Sequence, residues 1–159
     1  MIDKNKAVLD FLKGCPQIRD NQMFFNFINA KDNNKQFVTL ANDVNLHTPY
    51  IDGSVLKRYT FTIIDYKSVS YNAIVMLQGY SDENVEEMLQ VQEIIDWITE
   101  QALERNYPDF GDACMIDDMK ATTDNPNLNG VDTSIQPALA KYSISIQIDY
   151  IDYSKKLWT

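Results

Sequence analysis

The C-terminal stretch from Leu139 to Asp152 constrains the fold more than any other part of the chain. Alternate positions carry β-branched or aromatic side chains, and the positions between them are mainly polar. Strict alternation of this kind is typical of a β-strand with one buried face. Such a strand would extend for about 40 Å, whereas most strands have only about 5–6 residues. The predicted buried positions are Tyr142, Ile144, Ile146, Ile148 and Tyr150.

The other face of this strand is unusually neutral. Ser143, Ser145 and Gln147 stand where a solvated strand would often carry Lys or Glu. One interpretation is an ordinary face in contact with water, as antiparallel sheets commonly have. The alternative interpretation is a face that contacts another subunit.

Composition indicates a globular protein with an acidic surface. The chain has 159 residues, 45% of them hydrophobic, and a formal net charge of −9. This length predicts a single domain covering residues 1–159. The largest basic clusters are Lys57-Arg58 and Lys155-Lys156. Because a protein that grips a phosphate backbone needs a larger basic patch, sequence-specific nucleic-acid binding is not expected.

The two cysteines, Cys15 and Cys114, are too few for a disulfide framework or a zinc knuckle. We expect both to be buried and reduced, in a cytosolic setting. We expect no signal peptide and no membrane contact, because the longest apolar run, residues 73–77, is far below the roughly 20 residues of a membrane span.

The order of predicted elements favours an α+β fold. Hydrophobic periodicity and turn signals predict an antiparallel-rich or mixed sheet, an N-terminal helix and one long helix packed on it, and an extended C-terminal β-hairpin. The Asp52-Gly53 dipeptide predicts a turn. The helices are predicted at 3–13 and 81–106, strands at 23–29, 36–41, 55–66, 112–121 and 139–152, a weaker extended segment at 68–80, an irregular stretch at 42–54, and a loop at 122–137.

The apolar stripe of the long helix is predicted from positions three, four and seven residues apart. It comprises Val85, Met88, Val91, Ile95, Ile98 and Ala102, widened by Leu89, Ile94 and Trp97.

The predicted loop at 122–137 is the second feature that bears on function. It is polar and contains Asn125-Pro126, Asn129-Gly130 and Pro137. Loops of this length are uncommon in compact domains and are usually functional or mobile. The loop therefore predicts a contact surface, and its deletion from Asn125 to Asp132 is expected to leave folding intact.

No constellation of residues predicts catalysis. His47 is the single histidine and stands in a predicted loop, where a polar surface residue is the ordinary interpretation. The Asp117-Asp118 pair lies on a predicted strand, where neighbouring side chains point to opposite faces. We therefore expect no catalytic residue, no metal site and no cofactor; a small hydrolase that uses Asp117 or Asp118 is the enzymatic alternative.

Several segments in order resemble the minor capsid or tail-terminator family of long-tailed bacteriophages. The resemblance extends from about residue 6 to 152, and the chain departs from the pattern between Tyr66 and Ser81 and after Asp152. The segments that carry it are Val8-Leu9-Asp10-Phe11-Leu12 with Cys15-Pro16, Tyr50-Ile51-Asp52-Gly53-Ser54, Leu56-Lys57-Arg58-Tyr59-Thr60-Phe61, Ile95-Asp96-Trp97-Ile98-Thr99-Glu100-Gln101 and Ala138-Leu139-Ala140-Lys141-Tyr142-Ser143-Ile144-Ser145-Ile146-Gln147.

The resemblance implies a structural virion protein that acts by assembly. Such proteins have an α+β sheet flanked by helices and form a hexameric ring that ends the tail tube and docks onto the head connector. The implied partners are further copies of the chain, the tail tube protein and a head-completion or connector protein, with DNA passing through the ring. The implied location is the virion neck, after assembly in the host cytoplasm.

Two other structural roles remain open at this point: a different phage neck or head-completion protein, and a non-phage adaptor that docks partners through its long hairpin. The predicted interface residues are Asn125, Asn127, Leu128, Asn129, Val131 and Asp132 in the loop, and Ser143, Ser145 and Gln147 in the strand.

Overall fold

The computed structural model describes residues 3–18, 23–25, 36–69, 82–122, 127–132 and 138–156. Parts of the predicted segments at 23–29, 68–80 and 122–137, as well as Ser81, lie outside these residues. The elements are α1 (Lys4–Leu12), β1 (Met23–Phe25), β2 (Gln36–Asn45), β3 (Val55–Val69), α2 (Asp82–Leu103), β4 (Cys114–Ala121), β5 (Asn127–Asp132) and β6 (Ala138–Asp152).

The strands form one mixed, antiparallel-rich sheet. Its order is β1-β2-β3-β6-β4, and β5 also pairs with β6. Only the β1–β2 pair is parallel among the described strands. β3 and β6 pair over 15 residues each, from Val55 opposite Asp152 to Val69 opposite Ala138. The predicted α+β class, including the extended C-terminal hairpin, is therefore confirmed.

The N-terminal helix α1 begins and ends where its sequence predicts. The Asp3 carboxylate accepts hydrogen bonds from the backbone N–H groups of Asn5 and Lys6, which satisfies two donors of the first turn. Val8 and Leu12 are fully buried, so this short helix persists because it packs against the sheet and α2.

The long helix α2 buries Val91, Ile94, Ile95 and Ile98. Trp97 extends this contact to α1, where its ring lies 5.0 Å from that of Phe11. Leu89 was predicted to widen the apolar stripe, but it is 53% exposed. The prediction was wrong because two residues of helix place Leu89 about 200° from Val91, on the far side.

The core lies between the helices and one face of the sheet. Every alternate residue of β6 that was predicted to be buried is buried, from Tyr142 to Tyr150. β3 contributes Tyr59, Phe61 and Ile63 to the same face. Phe110 makes edge-to-face contacts with Tyr59 and Tyr150 at ring distances of 5.6 and 5.3 Å.

Two segments predicted to be irregular contain strands. β2 continues to Asn45, because its residues 42–45 pair with β3 after a bulge that follows Thr39. The rest of this stretch, residues 46–54, forms no helix or strand, as predicted. In its turn at Asp52-Gly53, Gly53 has φ 87° and donates its N–H to the Tyr50 carbonyl at 2.8 Å.

The interpretation of residues 122–137 as one loop was wrong. Residues 127–132 form β5, which pairs with the first half of β6. The pairing satisfies backbone groups that a loop would leave to water, and a bulge between Leu128 and Gly130 accommodates the extra residue.

Candidate assembly surface

The sheet has a second face, opposite the helices, where the predicted strand residues lie. We define this second face by Arg58, Thr60 and Thr62 of β3 and Ser143, Ser145, Gln147 and Asp149 of β6. All seven are half-buried rather than fully solvated. The register sets Thr60 opposite Gln147 and Thr62 opposite Ser145, so Ser145 and Gln147 lie in the central part of the face.

The charged groups of the second face neutralise each other. Arg58 and Asp149 are register partners, and the guanidinium donates two hydrogen bonds to the carboxylate, Nε to Oδ1 at 2.8 Å and Nη2 to Oδ2 at 3.1 Å. This bidentate pair holds the planar groups of both side chains in one orientation. The hydrogen bond to Asp149 raises the pKa of Arg58 above its already high value.

The serines are part of the hydrogen-bonding pattern rather than isolated hydroxyls. The Thr62 and Ser145 hydroxyl oxygens lie 3.4 Å apart, and Ser143 also has a polar partner. Ile64, the register partner of Ser143, is only 6% exposed. The second face is therefore more enclosed at this end than a plain solvated face.

An apolar margin borders the second face at the other end. Leu56, Ile151 and Met115 occupy one row across β3, β6 and β4. Met115 is 50% exposed and Val44 on β2 is 43% exposed, while Leu56 and Ile151 are half-buried. This margin was not predicted, because Met115 belongs to a strand whose alternation is interrupted by a bulge between Ile116 and Asp118.

Most of the interface residues predicted in the segment 122–137 lie on β5, which pairs with β6. Asn125 lies outside the described residues. Asn127 stands directly opposite Ser143, and Leu128, Val131 and Asp132 are register partners of Tyr142, Ala140 and Leu139, with Asn129 at the bulge. Just before β5, Thr122 donates its backbone N–H to the Ser145 carbonyl at 2.8 Å. β4 and β5 thus flank the same edge of β6.

A partly buried polar network connects α1 to the sheet on the helix-facing side. The Tyr150 hydroxyl donates to both carboxylate oxygens of Asp43 at 2.7 and 2.8 Å, and Lys4 Nζ lies 3.6 Å from Asp43. The Tyr59 hydroxyl donates to Asn5 Oδ1. Burial is the main cause that raises the pKa of both tyrosines, and nearby carboxylates raise it further.

One ion pair closes this network at the C-terminal end of β6. Lys57 Nζ lies 3.0 Å from an Asp152 oxygen, and the Ser154 N–H donates to the same carboxylate at 2.8 Å. Burial alone would raise the pKa of Asp152, but the hydrogen bonds from Ser154 and Lys57 outweigh it and lower the pKa to about 2.

The remaining candidate groups for chemistry are dispersed. His47 and both members of the Asp117-Asp118 pair are exposed. In the part of the chain that the structure describes, no three His, Cys, Asp or Glu side chains lie close enough to hold a metal ion. Cys15 is fully buried as predicted, and burial raises its pKa to about 11. Cys114, also predicted to be buried, is only half-buried.

Neither of the two described helices is long and apolar enough to cross a membrane. A comparison of the sequence with protein-family models and with curated proteins found no match.

Proposed function

We propose that this chain is the subunit of a ring at the head–tail junction of a long-tailed bacteriophage, where it ends the tail tube as a tail terminator. The observation that carries the proposal is the second face of the β3–β6 pair: seven half-buried polar side chains on two strands about 45 Å long. The resemblance of five segments, in order, to the tail-terminator family supports this particular function.

The chemistry of the second face supports contact with a protein rather than with a small molecule. The Arg58–Asp149 pair has no net charge, and two guanidinium N–H groups donate to the two carboxylate oxygens. Such a pair costs less to bury against a neighbour than a lone charge does. The surrounding Thr, Ser and Gln groups can exchange hydrogen bonds with a neighbouring subunit, as polar interface residues commonly do.

The apolar margin supplies the second requirement of an interface. Exposed Met115 and half-buried Leu56 are the register partners of half-buried Ile151 at the end of the second face, and exposed Val44 pairs with Arg58 in the next row on that face. Methionine is common at interface centres because its flexible side chain adapts to a partner surface. In the proposed ring, this margin is the apolar part of the subunit contact and the second face is its polar part.

The acidic balance of the chain fits a ring through which DNA passes. A net charge of −9 repels phosphates at short range, so a channel lined by such subunits would not retain the DNA. The same charge opposes self-association, and we therefore expect the ring to assemble more readily at physiological salt than at low salt.

The test is assembly of the purified chain with a tail tube protein from the same genome. We expect rings of six copies, on their own or at the end of tubes, in negative-stain images and by light scattering. A particle that stays monomeric at every concentration, with and without the tube protein, would overturn the proposal.

The sharpest variant for this test is Ser145→Arg, which adds an unpaired cation at the centre of the second face. We expect normal far-UV circular dichroism and loss of rings, because an unpaired charge at an interface centre is costly. The matched control is Thr48→Arg in the exposed segment after β2, which adds the same charge outside the second face and is expected to leave ring formation unchanged.

The deletion of residues 125–132 is no longer a suitable probe. A loop would tolerate it, but residues 127–132 are the paired strand β5. The deletion would remove backbone partners from β6 and so would change the fold together with the proposed interface.

A further inference from the structure

A groove of about 620 Å³ separates α1 from the segment 107–109. Four of its lining side chains are apolar or aromatic and are half-buried or buried: Ala7, Phe11, Tyr107 and Pro108. The other four are charged and exposed: Asp3, Lys6, Asp10 and Asp109. The groove thus combines an apolar lining with charged rims.

The rims are negative on balance, with three carboxylates against one ammonium group. Each carboxylate has a local partner among the described residues: Asp3 caps α1, Asp10 lies 3.5 Å from Lys13, and Asp109 accepts the Gly111 N–H at 2.9 Å. The groove therefore complements a segment that carries two or more positive charges next to a large apolar side chain.

The chain itself contains a segment of this composition. Of its two basic pairs, Lys57-Arg58 is neutralised by Asp152 and Asp149. Lys155 and Lys156 are exposed and form no ion pair within the described residues. Leu157 and Trp158 follow them in the sequence, so a dibasic step leads directly into two large apolar residues.

Lys155 and Lys156 lie on a different part of their own chain. Lys155 lines a smaller cavity of about 150 Å³ beside the β2–β3 turn, with Pro49 and Gly53. That cavity and the groove share no lining residue. The Lys156 ammonium lies 5.5 Å from the ring of its neighbour Tyr153.

We propose that the groove binds the segment Lys155-Lys156-Leu157-Trp158 of a second copy of this chain, with the lysines against the acidic rims and Trp158 on the apolar lining. A contact between two different patches of identical subunits is heterologous, and repetition of it closes into a ring or extends into a filament. The proposal deepens the ring function proposed above and rests on it for the closure of the assembly.

The first experiment measures the contact without any ring. A fluorescein-labelled peptide of residues 152–159 is titrated with the full chain, and binding is followed by fluorescence anisotropy. We expect saturable binding that weakens at high salt, and a loss of at least tenfold in affinity for the Asp10→Lys chain. The Asp117→Lys chain, which carries the same charge change on exposed β4, is the control and should bind within twofold of the natural chain.

A charge exchange makes the test specific to the groove. A peptide with Lys155→Glu and Lys156→Glu should bind the natural chain less tightly than the Asp10→Lys chain, whose rims carry two carboxylates against two ammonium groups. Equal binding by the Asp10→Lys and Asp117→Lys chains, or no gain on charge exchange, would overturn the proposal.

The second experiment separates two copies from one. A photoreactive benzoylphenylalanine is placed at position 158 in a chain of natural isotopes, which is mixed with ¹⁵N-labelled chain of natural sequence. Crosslinks from light to heavy chains at residues 3–11 or 107–109 support the proposal, and crosslinks confined to single chains overturn it.

Neither experiment uses the tail tube protein, so the two proposals fail separately. Peptide binding at the groove without rings on tubes would count against the phage function alone. Rings that persist with an unoccupied groove would count against this contact alone.

Discussion

The two faces of the β3–β6 pair share one backbone but have different surroundings. On the helix-facing side, Phe61 opposes Ile146 and both are about 1% exposed. One residue earlier on β6, Ser145 opposes Thr62 across the second face, and both are half-buried. Residues that are adjacent along the strand therefore alternate between the apolar core and a polar surface.

The two faces of the long strand differ in how much they contribute to stability. Packing of the helix-facing side defines the fold, because apolar burial is the main source of stability. The second face contributes hydrogen bonds and an ion pair whose net contribution to stability is small. We therefore expect substitutions on the second face to cost less stability than substitutions on the helix-facing side, so that the fold persists when the second face is changed.

The largest expected effect comes from Phe61→Ala. The substitution removes a buried aromatic ring between the sheet and the helices, and we expect the free energy of unfolding to fall by about 3–5 kcal/mol. Urea denaturation followed by circular dichroism measures the loss. Thr62→Ala, one residue away on the second face, is the control and should cost about 1 kcal/mol or less. Similar losses of unfolding free energy in the two variants would contradict the assignment of stability to the helix-facing side.

The next effect tests the polar network that holds α1. Tyr150→Phe removes the hydroxyl that donates to Asp43, and the ring itself stays buried. We expect a loss of about 1–2 kcal/mol, typical of a hydrogen bond to a charged acceptor. Tyr153→Phe, at a half-buried position after β6, should change the free energy of unfolding by less than about 0.5 kcal/mol.

The same network predicts weakening at alkaline pH. Burial raises the pKa of Tyr59 and Tyr150 in the folded chain, so the folded state retains their protons more tightly than the unfolded state. Their contribution to stability is complete below the unfolded pKa of about 10 and is lost as the pH rises above it. Unfolding midpoints measured from pH 8 to 11 should fall in the natural chain and fall less in Tyr150→Phe. Parallel pH profiles would contradict this assignment.

The sequence predicted the elements with strong local patterns and missed the pairings between distant residues. Alternation identified the buried face of β6, and the capping residue Asp3 located the start of α1. β5 was missed because Asn127, Asn129 and Gly130 have low strand propensity, and pairing with β6 outweighs that propensity. Formation of β5 therefore depends on its partner strand β6 more than on its own sequence.

Only the part of the candidate surface that shows as a local sequence pattern was predicted. The neutral positions Ser143, Ser145 and Gln147 are visible in the alternation of one strand. The Arg58–Asp149 pair joins residues 91 positions apart, and the Tyr150–Asp43 hydrogen bonds join residues 107 positions apart. No local pattern contains these contacts, because they depend on the register of strands that meet only in the folded chain.

The last expected effect concerns acid stability at the end of the helix-facing side. Hydrogen bonds from Ser154 and Lys57 lower the pKa of Asp152 to about 2, so this carboxylate stabilises the folded chain above its unfolded pKa of about 4. That contribution is lost as the pH falls from about 4 through 2. Asp152→Asn should be less stable than the natural chain at pH 7 and should approach it at pH 2, as measured by urea midpoints across this range. If the difference in urea midpoint between the two chains stays constant across this pH range, Asp152 stabilises the fold through its hydrogen-bond geometry and not through its charge. The Lys57–Asp152 contact would then resemble the neutral contacts of the second face.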